Sequence, residues 1–171
     1  MRSMAIAVTF LVAWLFATPT VWAQKDEAKE HAELAKAMKD AKVSLEKGLS
    51  VSTHEGKPIS AKYEVEHGKL QLSVYTMKGD TFSEVIVDHT TGQVAKVEPI
   101  TGGGDLTAAT AQRAAMTRAK KSLQTVVDAA VKAHAGMRAV SVFPALKGAH
   151  AVAEITLDKN GTFMTVSEPL E

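Results

Sequence analysis

The feature that most constrains this chain is internal. Ala35 to Leu45, AKAMKDAKVSL, returns as Arg113 to Leu123, RAAMTRAKKSL, at an offset of 78 residues. Past these segments the offset becomes 80, pairing Gly56 with Gly136, Tyr63 with Phe143, Gly68 with Gly148 and Thr76 with Thr156. It becomes 81 after Asp158-Lys159-Asn160-Gly161, pairing Thr81-Phe82 with Thr162-Phe163 and Val85 with Val166. Drifts of one or two residues fall in turns, where insertions are tolerated. Two copies of one helix-plus-strands unit are the expectation, since an offset held over several elements marks a structural repeat.

The N-terminus stands outside this pattern. Met1 to Ala23 has the parts of a secretory leader: Arg2, a mostly apolar stretch Met4 to Phe16, and small residues Val21 and Ala23 flanking Trp22. The apolar stretch falls short of the ~20 residues of a spanning helix. Cleavage after Ala23 is expected, with export to a periplasmic or extracellular compartment. Of 20 Lys+Arg and 19 Asp+Glu, the leader removes only Arg2, so the mature chain balances to zero net charge with His neutral. No net field draws it to nucleic acid or to an anionic membrane. With no cysteine in the sequence, disulfides, thiolate metal sites and a lipidated cysteine are excluded.

Within the first unit (24–100), Leu34, Met38, Ala41, Leu45 and Leu49 form one apolar helical stripe, and the spacing predicts a single helix from Lys25 to about Thr53. Gly56 and Pro58 stop it. Ile59, Ala61, Tyr63 and Val65 then alternate with polar residues as in a half-buried strand. Strands follow at Lys69 to Met77, Thr81 to Asp88 and Val94 to Val97. In the second of these, apolar positions change phase between Val74 and Tyr75, predicting a bulge or burial on both faces. Between strands, Asp88, Thr91 and Gly92 define a turn in which the carboxylate accepts backbone N–H groups and glycine takes positive φ.

Thr101 to Gly104 (101–104) reads as a linker, without the Gly-Lys-Ser/Thr that would follow in a phosphate loop. The second unit (105–171) opens with a helix capped by Asp105 or Thr107 and running to about His134, with Gly136 ending it. A meander follows, with a tight turn at Asn160-Gly161. This copy is expected to be trimmed, since it has no counterpart of the Asp88 turn and fourth strand. The fold class expected is α+β: two tandem repeats, each one long helix packed on a small antiparallel sheet of three or four strands.

These residues resemble the PepSY domain, an exported module of a helix on an antiparallel sheet. The likeness rests on the helix ending near Gly56, the strand Ser60 to Glu66, the hairpin through Gly79-Asp80, and Val85 to Val94, which is similar to that family's closing strand, Asp-x-x-Thr-Gly turn and final strand. The second copy carries it weakly, with Glu168-Pro169 in place of the turn. The resemblance implies a non-enzymatic module that binds an exported peptidase or another envelope protein and restrains it in trans, as no peptidase domain accompanies it in the chain.

The chemistry of the residues points the same way. His31, His54, His67, His89, His134 and His150 lie in different elements without ligand spacing, so neither a metal nor a cofactor is expected, although His67, His89 and Asp88 could gather in a fold. No nucleophile elbow is present, and Glu64, Glu66 and Asp88 show no sign of converging as a hydrolytic pair. No catalytic residue is expected. Exposed sheet edges are the better binding surfaces, since unpaired strand groups accept an extended peptide. Tyr63, Tyr75, Phe82, Phe143 and Phe163 are the candidate partner-binding edge. Two other readings remain at this level: a ligand-, metal- or haem-sensing module using the cleft between the copies, and a purely architectural repeat.

Overall fold

A computed structural model describes residues 21–171, with side chains from Lys29 onward. The expected leader and its cleavage site, apart from the backbone of its last three residues, lie outside the described residues. The elements in chain order are helix α1 (Val21–Ala37) with a 3-10 turn at Met38–Asp40, α2 (Leu45–Ser52), strands β1 (Lys57–Glu66), β2 (Lys69–Lys78), β3 (Thr81–Val87) and β4 (Val94–Ile100), α3 (Gly103–Arg118), α4 (Leu123–Ala133), and β5 (Arg138–Lys147), β6 (His150–Lys159) and β7 (Thr162–Pro169).

The expectation of two helix-on-small-sheet repeats is overturned. All seven strands form one antiparallel sheet in the order β4-β3-β2-β1-β5-β6-β7, with four short helices around it. Two separate meanders would each expose the strand nearest the other, leaving N–H and C=O groups unpaired. Pairing β1 with β5 removes both edges at once. The joint is short, with Ala61 opposite Val142 and Lys62 opposite Ser141.

Neither long helix is continuous. Extended backbone at Ala41 (ψ 119°) ends the first after its 3-10 turn, and Ser44 restarts it by accepting the Lys47 N–H at 3.2 Å. The second breaks at Ala119 (ψ 133°), and Ser122 caps the restart by accepting the Thr125 N–H at 3.1 Å. The N–H groups freed by the first break, on Lys42 and Val43, donate to the His89 carbonyl at 2.9 and 3.0 Å. Those freed by the second, on Lys120 and Lys121, donate to the Leu170 carbonyl at 2.7 and 2.9 Å. His89 and Leu170 are 81 residues apart, so the chain end serves the second break as the Asp88 turn serves the first.

One face of the sheet carries the main core. Ala61, Tyr63, Leu72, Val74, Val85 and Val87 alternate inward from the first strands, and Val142, Ala153, Ile155 and Leu157 from the last, against Leu45 and Leu49 of α2 and Leu123, Val127 and Ala130 of α4. The phase change in β2 is burial on both faces: Val74 and Tyr75 are both buried, and the bulge lies opposite, where Ile59 of β1 is skipped between Pro58 and Ser60. What covers Tyr75 is α3. Its Asp105 takes the Tyr75 hydroxyl at 2.7 Å, so Asp105 is a packing partner and not the expected cap, and Gly102 stands at the cap position. Farther along α3, Gln112 accepts from Ser60 at 2.8 Å and Arg113 pairs with Asp80 at 2.9 Å. Gly103 and Gly104 belong to the first turn of this helix. In return, α1 reaches the last strands: His31 stacks on Phe163, Arg138 donates to the Met38 carbonyl at 2.8 Å, and a Cβ on Gly161 (φ 86°) would lie 3.3 Å from the Ala35 Cβ.

Candidate interaction surface

The aromatic residues expected along an edge stand mostly inside the sheet. Tyr63 on β1 is buried and donates its hydroxyl to the Val43 carbonyl, and burial pushes that phenol up to about 12, against a smaller opposing pull from Arg138. Tyr75 on β2 is buried too, and burial first, then the bond to Asp105, holds its phenol far above the usual range. Phe82 on β3 is buried with the Arg113 guanidinium 5.4 Å from its ring centroid. Phe143 on β5 is 36% exposed, but β5 is an interior strand. Of the five, Phe163 alone lies on an edge strand, β7, its ring 4.5 Å from that of His31. The proposed aromatic edge is corrected accordingly: four of its members hold the sheet and its covering helices together.

Tyr75 belongs to a polar layer on the face away from the main core. Ser60, Lys62, Ser73, Tyr75, Asp105 and Gln112 surround a cavity of about 130 Å³ that Phe143 helps close. Ser73 donates to Glu84, whose carboxyl is held above its usual range by burial, with Glu64 adding to the rise and the Ser73 bond opposing it. Each buried hydroxyl in the layer has a partner, as buried polar groups require. Its contacts hold α3 to the sheet.

At the turn after β3 the expected roles are realised. Asp88 Oδ1 accepts the N–H groups of Thr90 at 2.8 Å and Thr91 at 2.7 Å, and the Thr91 bond, with that of Thr90 next, holds the carboxyl below its usual range. Gly92 has φ 74° and is buried, with the space for a side chain bounded by Val43 and Lys47. The turn thereby aims the His89 carbonyl at the helix break. His67 is 93% exposed in the β1–β2 turn, and among the described residues no three His, Cys, Asp or Glu side chains gather in a way that could hold a metal.

The true edges are β4 and β7, and they differ. On β4, Lys96 and Glu98 pair with each other at 2.8 Å and Pro99 removes a donor, which are common devices for blunting an edge. On β7, Thr162-Phe163-Met164-Thr165-Val166-Ser167 carries no charge and no proline before Glu168-Pro169, and Met164 is 37% exposed. Sequence reading could have separated the two from these residues alone, had the order of the strands been known.

Among the described residues no helix is long and apolar enough to cross a membrane. No family model and no curated protein matches the chain. Among solved structures, a protein of Clostridium difficile 630 named as a candidate lipoprotein is similar over 70% of this chain and 79% of its own, at 12% identity and a TM-score of 0.40.

Proposed function

We propose that this chain is an exported, non-enzymatic, PepSY-like binding module that takes an extended segment of a partner along β7, and that the partner is a co-exported peptidase or another envelope protein which it restrains. The observation that carries this reading is the contrast between the edges: β7 presents six uncharged residues, while β4 is guarded by Lys96, Glu98 and Pro99. A peptide added to a free edge gains backbone hydrogen bonds along its length, with alternate side chains supplying selectivity. The leader-like N-terminus supports export, and the Val85 to Val94 motif supports the family.

The test is binding and inhibition with purified chain and peptidases exported by the same cell. Met164→Lys places a charge on β7 and should weaken capture and relieve inhibition, whereas Lys96→Thr on β4 should change neither. Wild-type chain that slows no co-exported peptidase and retains no partner, or a Met164→Lys variant that binds as well as wild type, would refute the reading.

A further inference from the structure

A second site lies between the two helix pairs. A cleft of about 350 Å³ opens between α2 and α4, bounded also by the end of α3 and the start of β1. Leu49, Pro58, Met116 and Leu123 make its lining largely apolar. Its volume is at the lower end of the roughly 300–1,000 Å³ typical of small-ligand pockets.

Two polar groups in its lining are short of partners. Lys57, at the start of β1, reaches only the Met116 carbonyl, at 3.5 Å, and no carboxylate pairs with it among the described residues. Arg138 occupies the matching place at the start of β5. It donates to the Met38 carbonyl at 2.8 Å and pairs with Asp158 across the strand at 3.3 Å. Lys57 faces Met77 across its own strand pair, so the anion supplied to Arg138 is not supplied to Lys57. The other group is Gln124. Its Nε2 donates to Asp128 at 2.9 Å, which fixes the amide orientation, and its Oε1 is buried without a donor.

The cleft therefore asks for an apolar group, an anion and an N–H donor in one small ligand. We propose that it binds the C-terminal residue of a peptide, with the apolar side chain in the cleft, the α-carboxylate on Lys57 and the residue's N–H donated to Gln124 Oε1. A neutral apolar molecule would leave both polar groups unmet, and a simple fatty anion would leave Gln124 unmet. Such an end arises wherever a peptidase cuts after an apolar residue. The site uses no part of β7 and does not depend on the edge reading.

Titration calorimetry of the full chain with N-acetyl-Ala-Ala-Leu as free acid and as amide tests the proposal. The acid should bind at least about tenfold more tightly, the usual scale for one charge-assisted hydrogen bond. Lys57→Met should abolish that preference and Lys57→Arg should keep it. Gln124→Leu should weaken acid and amide alike, and Met164→Lys should leave acid binding unchanged, which separates this site from the β7 edge. Acid and amide binding equally, a preference that survives Lys57→Met, or no heat at millimolar acid would each overturn it.

Discussion

The last two residues should carry a disproportionate share of the stability of this chain. Leu170 is fully buried, its N–H donates to the Ala151 carbonyl at 3.0 Å, and its own carbonyl receives both N–H groups of the second helix break. Leu170→Ala removes only the side chain, and large-to-small changes at buried leucine cost about 2–5 kcal/mol. A chain end relaxes more readily than a core strand, so the lower half of that range, about 2–3 kcal/mol, is expected. Deleting Leu170 and Glu171 also removes the acceptor for Lys120 and Lys121. Both residues are exposed, so water replaces the lost bonds and each costs about 1 kcal/mol. The truncation should therefore cost about 4–5 kcal/mol, a large part of the roughly 5–15 kcal/mol of an ordinary domain. Urea unfolding followed by circular dichroism measures this, with the midpoint falling and the slope little changed for Leu170→Ala. His89→Ala is the control, because the matching carbonyl survives and the ring nitrogen Nδ1 is buried without a partner, so little stability should be lost. A truncated chain within about 0.5 kcal/mol of wild type would show that the carbonyl clamp contributes nothing, and the argument would fail.

Other expectations follow from the same geometry. Gly92→Ala forces a Cβ into a left-handed backbone at φ 74° and should cost about 1–2 kcal/mol in the same assay. Asp88 ionises below its ordinary value of 3.8, so its contribution is complete above that pH and is lost as pH falls through the lower folded value; Asp88→Asn should flatten the acid limb of stability against pH. Both tyrosines have phenols raised above 10.0 in the folded chain, so their stabilising effect holds below that pH and fades as pH rises toward the folded values. Phenolate absorbance should accordingly stay low through pH 10 and appear together with alkaline unfolding. Tyr75→Phe leaves Asp105 without its partner and should loosen α3 by about 1–2 kcal/mol, seen as faster amide exchange in that helix.

Local signals in the sequence locate the strands, the hairpins and the Asp88 turn, because each depends on residues within a few positions of one another. The helix breaks are hidden for a specific reason. Met38 and Leu45 are both buried on either side of the first break, so the apolar spacing runs through Ala41 as though the helix did. Ser44 and Ser122, each just before a leucine, are the only local marks of a restart, and serine alone is too common to outweigh periodicity. The joining of β1 to β5 is invisible for another reason: Ala61 and Val142 look like any inward strand residues, and their pairing is decided by which edges the fold leaves uncovered. Tyr75 misleads in the same way. The helix that buries it arrives from the far side of β4, so an exposed edge was inferred where a covered interior strand lies.

The two-position pairing of β1 with β5 is the narrowest line across the sheet, and taken alone it would make a seam along which the molecule could tear or flex. The helices splint it. Between residues 103 and 118, α3 is fastened to Tyr75, Ser60 and Asp80 on one side of the seam, and Arg118 donates to the Ala149 carbonyl on the other at 2.7 Å. From the opposite end, α1 reaches across to Phe163. Load applied at the seam is passed into crossed struts, so a force-spectroscopy trace should show one concerted rupture and not an early, separate opening of the joint.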